Sequence, residues 1–178
     1  MPAEIALLDA VARTLAREPG ASMQQIAAAS GVSRTTLHRA FGDRDTLVER
    51  ASAHVLEQIE ELFDAVGIDD APVQEAFERL LDSALPFGRA CALLFSEPVV
   101  FRVPLLVERI GAQDERLAGF LARGQTEGVF RPDLPPRWLA FSVTAQLEAA
   151  WWAVEEGHVG GRDARRLLRA TILEGLAR

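Results

Sequence analysis

A chain of 178 residues that is 49% apolar can bury a substantial core, and the absence of any apolar run near 18 residues argues against a membrane-spanning helix. Cys91 is the only cysteine, which excludes an intrachain disulfide and a thiolate metal cluster and predicts a buried structural thiol. The net charge of −7 is unfavourable for nucleic-acid binding, but residues 1–50 carry six Arg against six acids, so the excess of acid lies wholly in the rest of the chain. Lysine is absent, and every cation other than His is therefore an Arg, a side chain suited to bidentate guanine or phosphate contacts.

The N-terminus, MPAEIALLDA, lacks a basic leader region and enters a helical pattern at once, which predicts a cytoplasmic protein. Ile5, Leu8, Ala12 and Leu15 recur at three- and four-residue spacing, predicting a first helix with one buried stripe that Pro19-Gly20 ends. With only Met1 to Glu4 ahead of it, no basic arm is expected to reach the minor groove. Ser22 and Gln25 form an S-x-x-Q capping-box pattern that starts a second helix, with Ile26 and Ala27 inward and Ala27 and Ala28 small enough for a close crossing. Gly31 tolerates positive φ and turns the chain. Ser33 then caps a short third helix that buries Leu37 and Phe41 and leaves Arg34, Thr35, His38 and Arg39 outside. This is the pattern of a helix-turn-helix, whose second helix offers its N-terminal side chains to base edges in the major groove.

The run Val32-Ser33-Arg34-Thr35-Thr36-Leu37-His38-Arg39-Ala40-Phe41, followed by Asp43-Arg44-Asp45-Thr46-Leu47, resembles the recognition helix and next helix start of the TetR/AcrR family of transcriptional repressors. The resemblance runs from about Ile5 to about Leu62. It implies base contacts from Arg34 and Thr35 and phosphate contacts from Thr36, His38 and Arg44; Ser33 and Arg39, on the same helix, complete the expected DNA-binding set, with Arg39 at the helix end in a position suited to phosphate. Three positions depart from the family pattern: His38 replaces a usual Tyr, Ala40 a frequent His, and Thr35 a small residue or Pro.

Asp43 is expected to cap a fourth helix, whose stripe Val48, Ala51, Val55, Ile59 and Leu62 reaches Phe63. At about 20 residues it would span roughly 30 Å, long enough to belong to both halves of the molecule. Gly67 to Pro72 reads as a linker, and a fifth helix runs from about Val73 to Leu85. Breaks are expected at Pro86, at Ser96-Glu97-Pro98 and at Val103-Pro104, followed by a helix from Leu105 to about Gln125 and a Pro-rich loop from Gly128 to Pro136. The middle of the chain, with Phe77, Phe87, Phe95 and Phe101 among its apolar residues, reads equally as plain core or as the wall of a cavity. In the resembled family these helices enclose an effector pocket, which implies a small, mainly apolar ligand near Leu81, Phe95, Phe120, Phe141 and Trp151.

From Trp138 to Glu155 one stripe holds Leu139, Val143, Leu147, Ala150 and Val154 and another Phe141, Ala145, Ala149 and Trp152, so this helix is apolar on two sides. Gly160-Gly161 breaks it, and Asp163 starts a last helix with Leu167, Leu168, Thr171, Ile172, Gly175 and Leu176 on its apolar face. Two helices per subunit are expected to build a four-helix dimer interface around Leu147, Trp152, Leu168, Ile172 and Gly175, the alternative being a thicker monomer core. Arg162, Arg165, Arg166 and Arg169 are expected to pair with acidic surface rather than DNA.

The expectation is an all-α protein with a helix-turn-helix domain over residues 1–46 and a ligand-binding and dimerisation domain over 47–178. It would act as a dimeric transcriptional regulator, a repressor, that binds a palindromic double-stranded operator and is released by a small-molecule effector, with no membrane, cofactor or metal involved. Enzyme chemistry is disfavoured: there is no Gly-rich phosphate loop, no H-E-x-x-H and no G-x-S-x-G, and His38, His54 and His158 are scattered. The competing reading is a ligand-binding or interaction module of the same fold with little specific DNA binding, suggested by His38, Ala40 and the acidic total.

Overall fold

The computed structural model describes residues 2–176, and among them the regular structure is entirely helical. In chain order the elements are α1 (Pro2–Arg17), α2 (Met23–Ala29), α3 (Arg34–Phe41), α4 (Arg44–Val66), α5 (Val73–Asp82), α6 (Ala84–Ser96), a single 3₁₀ turn (Val100–Arg102), α7 (Pro104–Thr126), α8 (Pro136–Glu155) and α9 (Gly161–Leu176). None of the helices is long and apolar enough to cross a membrane. The chain forms two compact units, residues 1–58 with 90–110 and residues 59–89 with 111–178, and α4, α6 and α7 each supply residues to both.

In the first unit, α1 buries Leu8, Ala12 and Leu15, as its periodicity predicts, together with Val11. Ile5 shares that face but is 53% exposed, because the covering of the stripe ends at Leu8. Ala28 is also exposed, so Ala27 alone supplies the small buried residue of α2. Asp43 caps α4 by accepting the Thr46 N–H on Oδ1 at 2.8 Å, and that hydrogen bond holds its carboxyl below the usual carboxylate range. At 23 residues α4 is about 34 Å long, slightly more than its stripe suggests. His54 is satisfied internally: its Nε2 lies 2.9 Å from Asp9 Oδ1, which also accepts from Gln58 Nε2 at 2.9 Å, so three polar side chains tie α1 to α4.

The second unit is built on aromatic packing. Phe130 meets Phe77 edge-on at 5.1 Å between ring centroids and Phe120 at 6.0 Å. The stretch 67–72, expected as a linker, is held by arginines of α7: Arg123 donates to the carbonyls of Ile68, Asp69 and Ala71, and Arg116 reaches Asp64 at 2.8 Å and Asp69 at 2.6 Å. Pro86 does not break the chain as expected. It sits in the first turn of α6, where a missing N–H sacrifices no intrahelical bond, and the break falls at Ser83 instead. Two residues further on, Gly88 lets α6 approach the backbone of α8 at Leu147. The arginines of α9 are partly spent on acids, as expected: Arg169 pairs with Glu78, and Arg166 lies 3.6 Å from Asp163.

Candidate nucleic-acid interface

The site begins with two local caps and a turn. The Ser22 N–H donates to Gln25 Oε1 at 2.9 Å and the Gln25 N–H donates to Ser22 Oγ at 3.3 Å, closing the capping box that starts α2. Gly31 adopts φ +70°, a left-handed conformation that other residues enter only at a cost, and Val32 N–H donates back to Ala27 O at 3.1 Å. Ser33 then caps α3, its Oγ accepting the Thr36 N–H at 3.0 Å. Leu37 and Phe41, four residues apart, are both buried and fix the rotation of α3 about its axis. Arg34, Thr35, His38 and Arg39 consequently face outward, all exposed.

These outward residues are not equivalent. Neither Arg34 nor Arg39 is engaged in a salt bridge with another described residue, so both guanidinium groups are available to an anionic partner. Thr36 is half-buried with its hydroxyl 2.8 Å from Ser33 Oγ, which makes these two side chains part of the helix cap first and contact residues second. Acids on neighbouring elements are neutralised: Arg102 holds Asp45 at 3.0 Å and Arg50 holds Glu4 at 2.8 Å.

Arg44, expected on a phosphate, is turned inward. Its Nη2 lies 2.7 Å from Glu97 Oε1 and its Nε donates to Ala21 O at 2.7 Å. Glu97 in turn accepts the Gly20 N–H at 3.0 Å. Sequence pattern marks Ser96-Glu97-Pro98 only as a break; the available signal is that Glu97 is the one charged residue between Ala90 and Phe101.

A model of the bacterial regulatory proteins of the tetR family matches residues 7–51, which cover most of α1, all of α2 and α3, and the start of α4. The HTH-type transcriptional repressor LfrR of Mycolicibacterium smegmatis is 32% identical over 152 residues, 85% of this chain and 79% of LfrR. The chain belongs to the TetR family. The HTH-type transcriptional regulator NfxB of Pseudomonas aeruginosa is 32% identical over 133 residues, 72% of this chain and 70% of NfxB. The crystal structure of the TetR-like regulator LfrR from Mycobacterium smegmatis in complex with proflavine superposes with a TM-score of 0.74 at 26% identity, covering 97% of this chain and 96% of that one. As a TetR-family member the protein is a helix-turn-helix transcriptional regulator and not an enzyme.

The residues assigned from sequence to the effector and to the partner subunit are dispersed in this TetR-family chain. Leu81, Phe120 and Trp151 are buried in the second unit, whereas Phe141 is 50% exposed on α8 and Phe95, a residue of the first unit, is 44% exposed. Phe120 belongs to the cluster with Phe77 and Phe130, which is ordinary aromatic core. Leu147, Leu168 and Ile172 are covered by their own chain and so are not surface residues of α8 and α9; Trp152 is half-buried against Trp151 and Gly175 is exposed. The apolar surface these helices do present is Trp138, Phe141, Ala145 and Ala149 on α8 and Leu167 on α9, beside a groove of about 290 Å³ lined by Gln146, Ala149, Ala153, Val159, Leu167 and Thr171.

Proposed function

We propose that the protein is a repressor that binds a palindromic DNA operator as a homodimer, reads bases with α3 and is released by a small, mainly apolar effector. The observation that carries the reading is the pair of unengaged arginines, Arg34 and Arg39, on a helix whose rotation is fixed by Leu37, Phe41 and the Ser33 cap. Arg34 and Thr35 stand at the exposed N-terminus of α3, the end that enters the major groove first in helix-turn-helix proteins. Ser33, Thr36, His38 and Arg39 set the register on phosphates. DNA binding is the work of residues 1–46, and such a regulator acts where the chromosome is, in the cytoplasm.

Dimerisation is assigned to the exposed stripe Trp138, Phe141, Ala145 and Ala149 of α8 together with Leu167 of α9, because an apolar surface of this length is what a partner helix pair covers. An effector site among the helices beyond residue 46 is supported by the LfrR complex with proflavine. To reduce DNA affinity a hundredfold, the effector must favour the DNA-incompetent state by about 2.7 kcal/mol.

The test is Arg34→Ala, assayed on a selected operator and on scrambled duplex at several salt concentrations. Operator binding should weaken by about 1–3 kcal/mol for each bidentate base interaction removed, with relaxed preference at one base position in each half-site. Arg39→Ala should instead weaken all sequences alike and lower the magnitude of the log–log salt slope by about 0.9 for each phosphate no longer engaged. Undiminished operator preference in Arg34→Ala would show that another residue reads the bases.

A further inference from the structure

Glu97 follows directly on α6 and its side chain is 0% exposed, in a stretch from Ala90 to Phe101 that holds no other charge. Its Oε1 accepts from the Gly20 N–H at 3.0 Å and from Arg44 Nη2 at 2.7 Å, while Arg44 Nε donates to Ala21 O at 2.7 Å. Gly20 and Ala21 are the two residues before Ser22, the N-cap of α2. Arg44 opens α4, two residues after Gly42 ends α3. One carboxylate oxygen thus holds the chain on both sides of the helix-turn-helix, from a position 53 residues beyond Arg44.

Stability is a poor explanation for such a pair. Burying a carboxylate is costly, its Oε2 accepts no hydrogen bond from the described residues, and apolar replacements of buried ion pairs are often neutral or stabilising. What the arrangement supplies is position: the entry to α2 and the exit from α3 are referred to a single fixed point. We propose that Glu97 and Arg44 are positioning residues for DNA reading, a clamp that sets where α3 stands without either side chain touching DNA. This rests on the DNA-binding reading above.

The clamp and a direct grip on phosphate by Arg44 make opposite predictions. Full-length wild type, Glu97→Gln, Arg44→Ala and the double variant are compared on the selected operator and on scrambled duplex across salt concentrations, below the thermal transition of each. Glu97→Gln is nearly isosteric, so it folds where a larger change could fail. For a clamp, each single variant loses about tenfold in operator affinity, the double variant loses no more than either, and the salt slope stays at its wild-type value. Amide exchange over residues 20–44 in the DNA-free protein should also accelerate several-fold in Glu97→Gln.

If Glu97→Gln binds like wild type while Arg44→Ala lowers the slope by about 0.9 per phosphate released, Arg44 holds a phosphate and the clamp is wrong. It is equally wrong if folded variants bind normally and only their melting temperature falls. Absence of operator preference in the wild type would defeat the DNA-binding reading itself. The exchange measurement then still decides the clamp, since unchanged exchange over 20–44 overturns it.

Discussion

Leu147→Arg is expected to destabilise the fold severely, whereas Leu167→Arg should fold normally and lose the dimeric mass proposed for the wild type. Leu147 is 0% exposed within a single chain, at the point where α8 meets α6, so the substitution removes a buried leucine and places an unpaired charge in its site. The combined cost is on the order of 4 kcal/mol or more, a large fraction of the stability of an ordinary domain. At about 2–4 °C per kcal/mol for a chain of this size, the melting temperature should fall by at least roughly 8 °C. Leu167 lies on the outer side of α9 at 41% exposure and can carry a charge at little cost in the monomer. In the proposed dimer that same charge lies between two subunits and opposes association, and sedimentation should report monomers. Leu168→Arg should resemble Leu147→Arg, since Leu168 is also covered by its own chain. A dimeric Leu167→Arg would move the subunit interface elsewhere.

Gly88→Ala is the second change with a large expected effect, and it runs against helix propensity. In the interior of α6 the propensity term favours Ala by about 1 kcal/mol. An ideal Cβ on Gly88, however, would press on Leu147 O, come within 2.7 Å of Leu147 C and lie 3.0 Å from Trp151 Cβ. Two of these three atoms are backbone, so no rotamer change relieves the clash; α6 must move off α8. Overpacking of this kind costs typically about 1–3 kcal/mol and more where backbone must shift, which outweighs the propensity gain. Gly119→Ala is the matched control, because nothing lies within 4 Å of its Cβ position on the exposed side of α7, and it should stabilise by up to about 1 kcal/mol. Thermal unfolding of the two variants should therefore shift in opposite directions, and a neutral Gly88→Ala would mean that α6 and α8 have room to separate at this crossing.

The parts of the fold that are legible in the sequence are those whose causes lie within a few residues. Ser22 with Gln25, Gly31 at φ +70°, Ser33 under Thr36 and Asp43 under Thr46 are all closed by hydrogen bonds spanning three to five residues, and each is readable in the order of residue types. Leu37 and Phe41 are readable because a four-residue spacing puts them on one side of a short helix. The ion pair of Arg44 is not legible in the sequence because its partner lies 53 residues away, and nothing local distinguishes an arginine aimed at a phosphate from one aimed at a buried carboxylate. Leu167 and Leu168 are not separable either. Both are apolar, their side chains leave the helix about 100° apart, and which of them meets its own chain depends on how α9 is rolled against α8. Pro86 misleads for a simpler reason: a proline ends one helix or opens the next with the same local preference, and only the position of the following hydrogen bonds decides.

Selection of bound duplexes from a random library, using the purified full-length protein, tests most directly the claim that α3 reads DNA. A two-fold symmetric motif should emerge, with half-sites separated by one helical turn, about 34–36 Å, or a multiple of it, and with affinity for it falling steeply as salt is raised. Recovery of unenriched sequences, bound no better than scrambled duplex at any salt concentration, would contradict it.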